Sequence, residues 1–252
     1  MWEIVVMTDA DGPVPLPPGL DLLWGRREAA RRGPRPGLSV EAIVAAALDI
    51  ANAEGLDAVS MAKVAQSVGF TTMSLYRYID SKDELLQLMW NAVSGDPVEL
   101  EGDTWRSRLL SWAMGQRAAI DRNVWIVQMP MATPPLAPNS LAWMERGLEA
   151  MDGTGLTDGQ QIAILGLLAS HALIDARMAF DARQARSGAD ETSSVDYGAV
   201  MRELVEADRF PRLHRAVWSG ELDPSAADDD PLVGYRFDLE VILDGIEALI
   251  AP

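Results

Sequence analysis

The chain has no cysteine among its 252 residues. That excludes a disulfide framework, a thiolate metal site and a cysteine nucleophile, and leaves the redox compartment undetermined. Its two histidines, His171 and His214, lie far apart and no H-x-x-x-H spacing occurs, so a histidine metal centre has no support in the sequence. A nucleophile elbow, a phosphate loop and a convincing pair of carboxylates are also missing. The chain therefore reads as a non-enzyme with no catalytic residue, no metal and no cofactor. No stretch reaches the roughly 18 unbroken apolar residues of a membrane span. The opening MWEIVVMTDADG runs into acids rather than a small-residue cleavage site. A soluble cytoplasmic protein without a membrane partner is the expectation.

Bases are scarce as well, and the net charge is −17. That balance argues against a nucleic-acid partner until it is resolved along the chain. Residues 1–23 hold four acids and no base, residues 24–94 hold eight of each, and residues 95–252 hold 13 bases against 26 acids. The acid thus concentrates outside 24–94, and five of that segment's bases lie between Arg26 and Arg35. An acidic body carrying a nucleic-acid-reading head has this asymmetry.

What the chain does have is helical periodicity. Residues 8–20 are rich in proline and glycine and read as part of a flexible leader over 1–23, with Met7 an alternative start. From Ser39, an N-cap followed by Glu41, the residues Ile43, Ala47 and Ile50 recur on one face, and Gly55 closes the helix. Ser60 caps a second helix, Met61 to Val68, stopped by Gly69. Thr71 or Thr72 opens a very short third helix ending near Ile79. Ser81 and Glu84 have the spacing of a capping box, which starts a helix through Val93. Further helices are expected near 104–127, 139–151, 158–184, 196–208 and 235–250. Strand signals are nearly absent, so the fold class is all-α.

Two short helices joined through Val68-Gly69-Phe70 have helix-turn-helix spacing. At about 100° per residue, Leu75 and Ile79 of the third helix share an inner face, while Met73, Ser74 and Arg77 fall opposite, with Tyr76 and Tyr78 flanking. Such a helix is poorly built for a core and suits a groove. Arg77 can fork onto a guanine edge or a phosphate, Ser74 can donate to either, and Met73 can meet a thymine methyl. Lys82 adds a charge to the free amides that start the next helix. A solvated corner of a helical bundle is the bland alternative.

The segment VAQSVGFTTMSLYRYIDSKDELL, preceded by AALDIANAEGLDAVSM, resembles the N-terminal domain of TetR-type repressors over about residues 39–93, most specifically from Leu75 to Leu85. The resemblance implies a homodimer on a pseudo-palindromic double-stranded DNA operator. It also implies a three-helix head, a hinge around Lys82 to Val93, and an all-helical body that binds a small-molecule effector. By position, Thr72, Ser74, Arg77 and Tyr78 match base- or phosphate-contacting residues, and Tyr76 and Lys82 match phosphate-contacting ones. The leader resembles a subgroup with a basic arm, in which Arg31, Arg32 and Arg35 enter the adjacent minor groove. The bland alternative for these arginines is a soluble basic linker. On this reading residues 24–94 are the DNA-binding domain and 95–252 the effector-binding and dimerisation domain.

In the body, Trp112, Trp125, Met129, Trp143, Met144 and Met178 are either core packing or the wall of an apolar pocket for a hydrophobic or aromatic effector. His171 and Asp175, at i and i+4, are either a structural pair or polar groups that orient that effector. Stripes at Ile162, Gly166, Ala169, Leu173, Ala176 and Phe180, and at Leu239, Ile242, Ile246 and Leu249, serve either the subunit's own core or a four-helix dimer interface. A ligand-responsive repressor is the reading. The alternative is a protein-binding module that keeps the fold without binding DNA.

Overall fold

A computed structural model describes residues 16–17, 19–27, 38–129, 136–188, 197–220 and 230–250. Among them are eleven α-helices and no strand. These are α1 (Leu20–Leu23), α2 (Val40–Glu54), α3 (Met61–Ser67), α4 (Thr72–Leu75), α5 (Lys82–Ser94), α6 (Trp105–Arg122), α7 (Pro138–Ala150), α8 (Asp158–Gly188), α9 (Tyr197–Leu204), α10 (Pro211–Trp218) and α11 (Val233–Ile250). The all-α expectation holds.

The chain divides into two compact units. The first takes the described residues of Met1–Pro97 together with those of Met129–Trp143, and the second takes Val98–Gln128 and those of Met144–Pro252. Helix α7 contributes its first residues to the first unit and the rest to the second.

In the first unit the caps predicted at Ser39 and Ser60 form, and of Thr71 and Thr72 it is Thr71 that opens the third helix. The hydroxyls of Ser39, Ser60 and Thr71 accept the backbone N–H of Ala42, Lys63 and Ser74, giving α2, α3 and α4 defined starts. Helix α2 packs on α3 and α5, and α3 packs on α4. Ile43, Ala47, Val59, Val64, Leu75, Ile79, Leu85 and Met89 are all fully buried there. The start of α7 is tied to the end of α5 by polar contacts. Asn139 donates its backbone N–H to Asn91 Oδ1 at 3.0 Å and its Nδ2 to the Asn91 carbonyl at 2.7 Å, Trp90 Nε1 donates to Ser140 Oγ at 3.1 Å, and Trp143 Nε1 donates to the Ser94 carbonyl at 2.9 Å.

The capping box at Ser81 forms by half. Ser81 Oγ accepts the Glu84 N–H at 3.1 Å. The Glu84 carboxylate does not return to Ser81 but accepts the N–H of Asp80 and the Arg27 guanidinium. A buried carboxylate is satisfied by a cation more fully than by one amide, and here Arg27 claims it.

In the second unit α6 packs on α8, and α11 packs on both. Leu109, Trp112, Leu168, Ala172, Tyr235, Leu239 and Leu243 form its buried core. Two expected helices come out divided. The helix expected over 104–127 stops at Arg122, where Asn123 leaves helical geometry, and a 3-10 turn follows over Val124–Gln128. The helix expected over 196–208 ends at Leu204, and α10 begins anew with Pro211 at its first position, where a missing N–H costs nothing. The stripe on α11 also divides. Leu239 and Ile246 lie inside the subunit, while Leu249 is exposed, along with Phe237 and Val241 on the outer side.

Candidate nucleic-acid interface

The turn between α3 and α4 passes through Gly69 at φ 75°, in the left-handed region that side chains with a Cβ resist. Thr71 then caps a helix of one turn. Hydrogen bonds from Tyr78 N and Ile79 N to the Leu75 carbonyl, 2.8 and 3.0 Å, carry the same sense of winding on to Ile79. Burying Leu75 and Ile79 fixes the roll of this corner, and its opposite side therefore faces outward.

The residues singled out from the sequence around this corner and at the start of α5 reach solvent to different extents. Met73 is 76% exposed and Tyr76 44%. Arg77 and Lys82 are exposed, and Thr72, Ser74 and Tyr78 are half-buried. An exposed methionine beside an exposed tyrosine has no role in the subunit's own core. Among the described residues neither Arg77 nor Lys82 has an ion-pair partner, whereas nearby Lys63 is paired with Glu54. Ser74 is committed more locally than its sequence position suggests, since its hydroxyl lies 2.9 Å from Thr71 Oγ1. Lys82 occupies the first position of α5, where free backbone N–H groups and the helix dipole add to its charge. Arg31, Arg32 and Arg35 lie outside the described residues.

The residues considered for an effector are drawn from both units. Met129 and Trp143 belong to the first unit; Trp112, Trp125, Met144, His171, Asp175 and Met178 belong to the second. Trp112, Trp125, Met129 and Trp143 are buried, Met144 is half-buried, and Met178 is 69% exposed on α8. His171 and Asp175 do not pair with each other. Asp175 accepts from Arg117 Nε at 2.9 Å, and His171 stacks on Tyr235 at 5.2 Å with Nε2 3.4 Å from Asp238. Their shared helix face meets two different helices, and each side chain takes the partner its own neighbour offers.

Sequence reasoning missed the centre of this polar group. Arg117 is 3% exposed and also bridges Asp121, with its guanidinium 5.8 Å from the Tyr235 ring centroid. Burial works against its charge, but hydrogen bonds to Asp121 and Asp175 outweigh that and hold its pKa above the usual value. Burial pushes the Tyr235 hydroxyl well up as well, and that hydroxyl donates to the Ala113 carbonyl at 3.3 Å. Gln116 Oε1 and His171 Nε2 are buried atoms without a hydrogen bond among the described residues. A charged residue inside the apolar pattern of α6 was the available signal for Arg117.

Two family models match the chain. One, bacterial regulatory proteins of the tetR family, covers residues 43–89, and the other, the tetracyclin repressor-like C-terminal domain, covers 97–250. The HTH-type transcriptional repressor DrrR1 of Streptomyces coeruleorubidus is 32% identical over 252 residues, spanning 97% of this chain and 90% of its own. The TetR family protein ActR of Streptomyces coelicolor, solved with (S)-DNPA, is 25% identical with a TM-score of 0.69, covering 85% of this chain and 99% of that one. Its apo form gives 25% and 0.70, covering 86% and 98%.

Proposed function

This chain belongs to the TetR family and is a DNA-binding transcription regulator, and from that premise we propose that it is a homodimeric repressor released from a pseudo-palindromic operator by a small hydrophobic or aromatic effector. The observation that carries the DNA-contacting face is the outer side of the α4 corner, where Met73, Tyr76 and Arg77 stand exposed, together with Lys82 exposed at the start of α5, both cations lacking a partner among the described residues. Thr72, Met73, Ser74, Arg77 and Tyr78 read the major groove, and Tyr76 and Lys82 hold phosphates. Arg31, Arg32 and Arg35 reach the adjacent minor groove. Such a protein works where the chromosome is, in the cytoplasm.

The dimer rests on α8 and α11. Helix α8 contains a window with a mean hydropathy of 1.5, of which only 28% is buried. Its outer side shows Ile162, Leu167, Ile174 and Met178, and that of α11 shows Phe237 and Val241. An apolar surface of this extent on a soluble regulator needs a cover, and a second copy supplies it in an isologous interface. Ile174→Asp and Phe237→Asp are expected to turn a dimer into a monomer in sedimentation velocity. A monomeric parent would sink the idea.

ActR carries (S)-DNPA in its solved complex; only the class of a small organic effector is extended to this chain. The buried Trp112, with Gln116 Oε1 as a buried polar atom without a hydrogen bond among the described residues, supports an effector that combines an apolar body with hydrogen-bonding groups. It releases DNA only by preferring the conformation that binds DNA less well. The hinge expected around Lys82 to Val93 is the segment taken to carry that preference to the head. The DNA face is tested on duplex carrying the sequence upstream of the chain's own gene. Arg77→Ala and Lys82→Ala should each weaken binding and flatten its salt dependence. Parent-like binding by both would remove this face from the assignment.

A further inference from the structure

Glu84 lies in the first turn of α5 with its side chain only 2% exposed. A carboxylate at that burial needs a cation and a full set of donors, and both come from outside α5. The Asp80 N–H donates to Glu84 Oε2, and Arg27, from the segment that follows α1, donates to Oε1. Arg27 also donates from Nη1 to the Asp80 carboxylate, and its Nε lies 3.3 Å from Asp21. One planar fork therefore joins the leader, the turn before α5 and the first turn of α5.

The leader is seated to make this bridge. Gly19 adopts φ 82° and approaches α5 so closely that a Cβ would stand 3.1 Å from Glu84 Cγ and 3.3 Å from its carbonyl oxygen. The Leu20 and Asp21 carbonyls accept the N–H groups of Trp24 and Arg27 and close the turn that presents the guanidinium. The Trp24 indole then donates to the Leu136 carbonyl at 3.0 Å, which anchors the far side of the leader.

We propose that Arg27 is a positioning residue for DNA binding: through Glu84 and Asp80 it fixes the turn that presents Lys82 to a phosphate, without touching DNA itself. The proposal rests on the DNA-contacting face assigned above. Two physical reasons carry it. Three of the fork's nitrogens are already engaged by carboxylates, so Arg27 has little left for a phosphate. Without Arg27, Asp80 and Glu84 would repel each other across the turn, and with Asp83 they would set three acids around Lys82 where a polyanion has to approach. The leader thereby becomes part of the DNA-reading unit through charge and position.

The experiment measures binding of the full chain to the upstream duplex by fluorescence anisotropy across a series of KCl concentrations. Parent, Arg27→Ala, Lys82→Ala and the double variant are compared, with thermal melts as a check on folding. Arg27→Ala is expected to weaken binding roughly tenfold and to lower the salt slope by about one, as Lys82→Ala does, because one phosphate contact is lost in each. The double variant should lose little more than either single one, since both act on one contact. A merely structural Arg27 would lower the active fraction and leave the slope at the parent value, which would overturn the proposal. Losses that add fully in the double variant would overturn it too. Should Arg27→Ala fail to fold, Arg27→Lys keeps the charge without the fork; parent-like affinity and slope in that folded variant would also overturn it. If Arg77→Ala and Lys82→Ala are themselves silent, the DNA face fails first, and the two failures are told apart.

Discussion

The two units both pair some of their cations internally and leave others, Arg108 and Arg212 in the second unit among them, without an ion pair among the described residues. In the second unit Arg106 meets Glu240 and Asp244 at 2.5 and 2.6 Å, Arg117 meets Asp175 at 2.9 Å, and Arg177 meets Asp181 at 2.8 Å. The hydrogen bond to Glu240, ahead of the other causes that raise it, holds the Arg106 pKa above its usual value. In the first unit Arg27 and Lys63 are paired in the same way, but Arg77 at the outer corner and Lys82 at the start of α5 have no ion-pair partner among the described residues. Exposed apolar residues occur in both units as well. In the first unit Met73 and Tyr76 stand out at that corner, and in the second they line the outer sides of α8 and α11. Internally paired arginines hold a fold, whereas unpaired ones beside an exposed methionine are kept for a partner. With a net charge of −17, a chain binds a polyanion only if its free cations are collected where the acids are few or already matched.

The sharpest test sets Leu75 against Met73, two residues apart on one corner. Leu75→Ala empties a fully buried site and should cost about 3 to 4 kcal/mol in chemical denaturation, with DNA binding lost alongside. Met73→Ala should change stability by less than about 0.5 kcal/mol, so any loss in its DNA titration belongs to the interface. Equal destabilisation by the two would mean that the corner has no inside and outside.

Next in size is Arg117 against Arg77. Removing Arg117 leaves Asp121 and Asp175 without their shared cation and should cost about 3 kcal/mol, the low end for a broken buried pair because both acids reach solvent. The salt slope of DNA binding should stay as in the parent. Arg77→Ala should show the reverse, with an unchanged urea midpoint and binding weaker by about 1 to 3 kcal/mol. If Arg117→Ala alters the slope instead, the division of labour between the two units is wrong. The smallest effect belongs to Ser60, whose hydroxyl caps α3. Ser60→Ala should lower stability by about 1 kcal/mol, and it should leave the salt slope untouched.

Much of the first unit was legible because its signals are local. Ser39 and Ser60 cap the helices they were expected to cap, Thr71 rather than Thr72 opens α4, and the helical wheel of this corner correctly set Leu75 and Ile79 inside. Each depends on residues within four positions of one another. The Ser81 and Glu84 box failed by half for the complementary reason, since the cation that claims Glu84 lies 57 residues away. The polar pair at His171 and Asp175 failed the same way, each side chain finding its partner on another helix. The stripe on α11 was seen, but which of its residues face inward was not, because periodicity gives a face and not the identity of what covers it.

By itself the sequence determined the helical class, the caps at Ser39 and Ser60 and the helix-turn-helix corner. These follow from backbone preferences and short-range side-chain geometry that no distant contact overrides. Tertiary structure decided which charges are matched and which are left free. It paired Arg27 with Glu84 and Arg117 with Asp175, and it left Arg77 and Lys82 open. Pairing of charge depends on proximity in space and on burial, and both are set only when remote segments pack together.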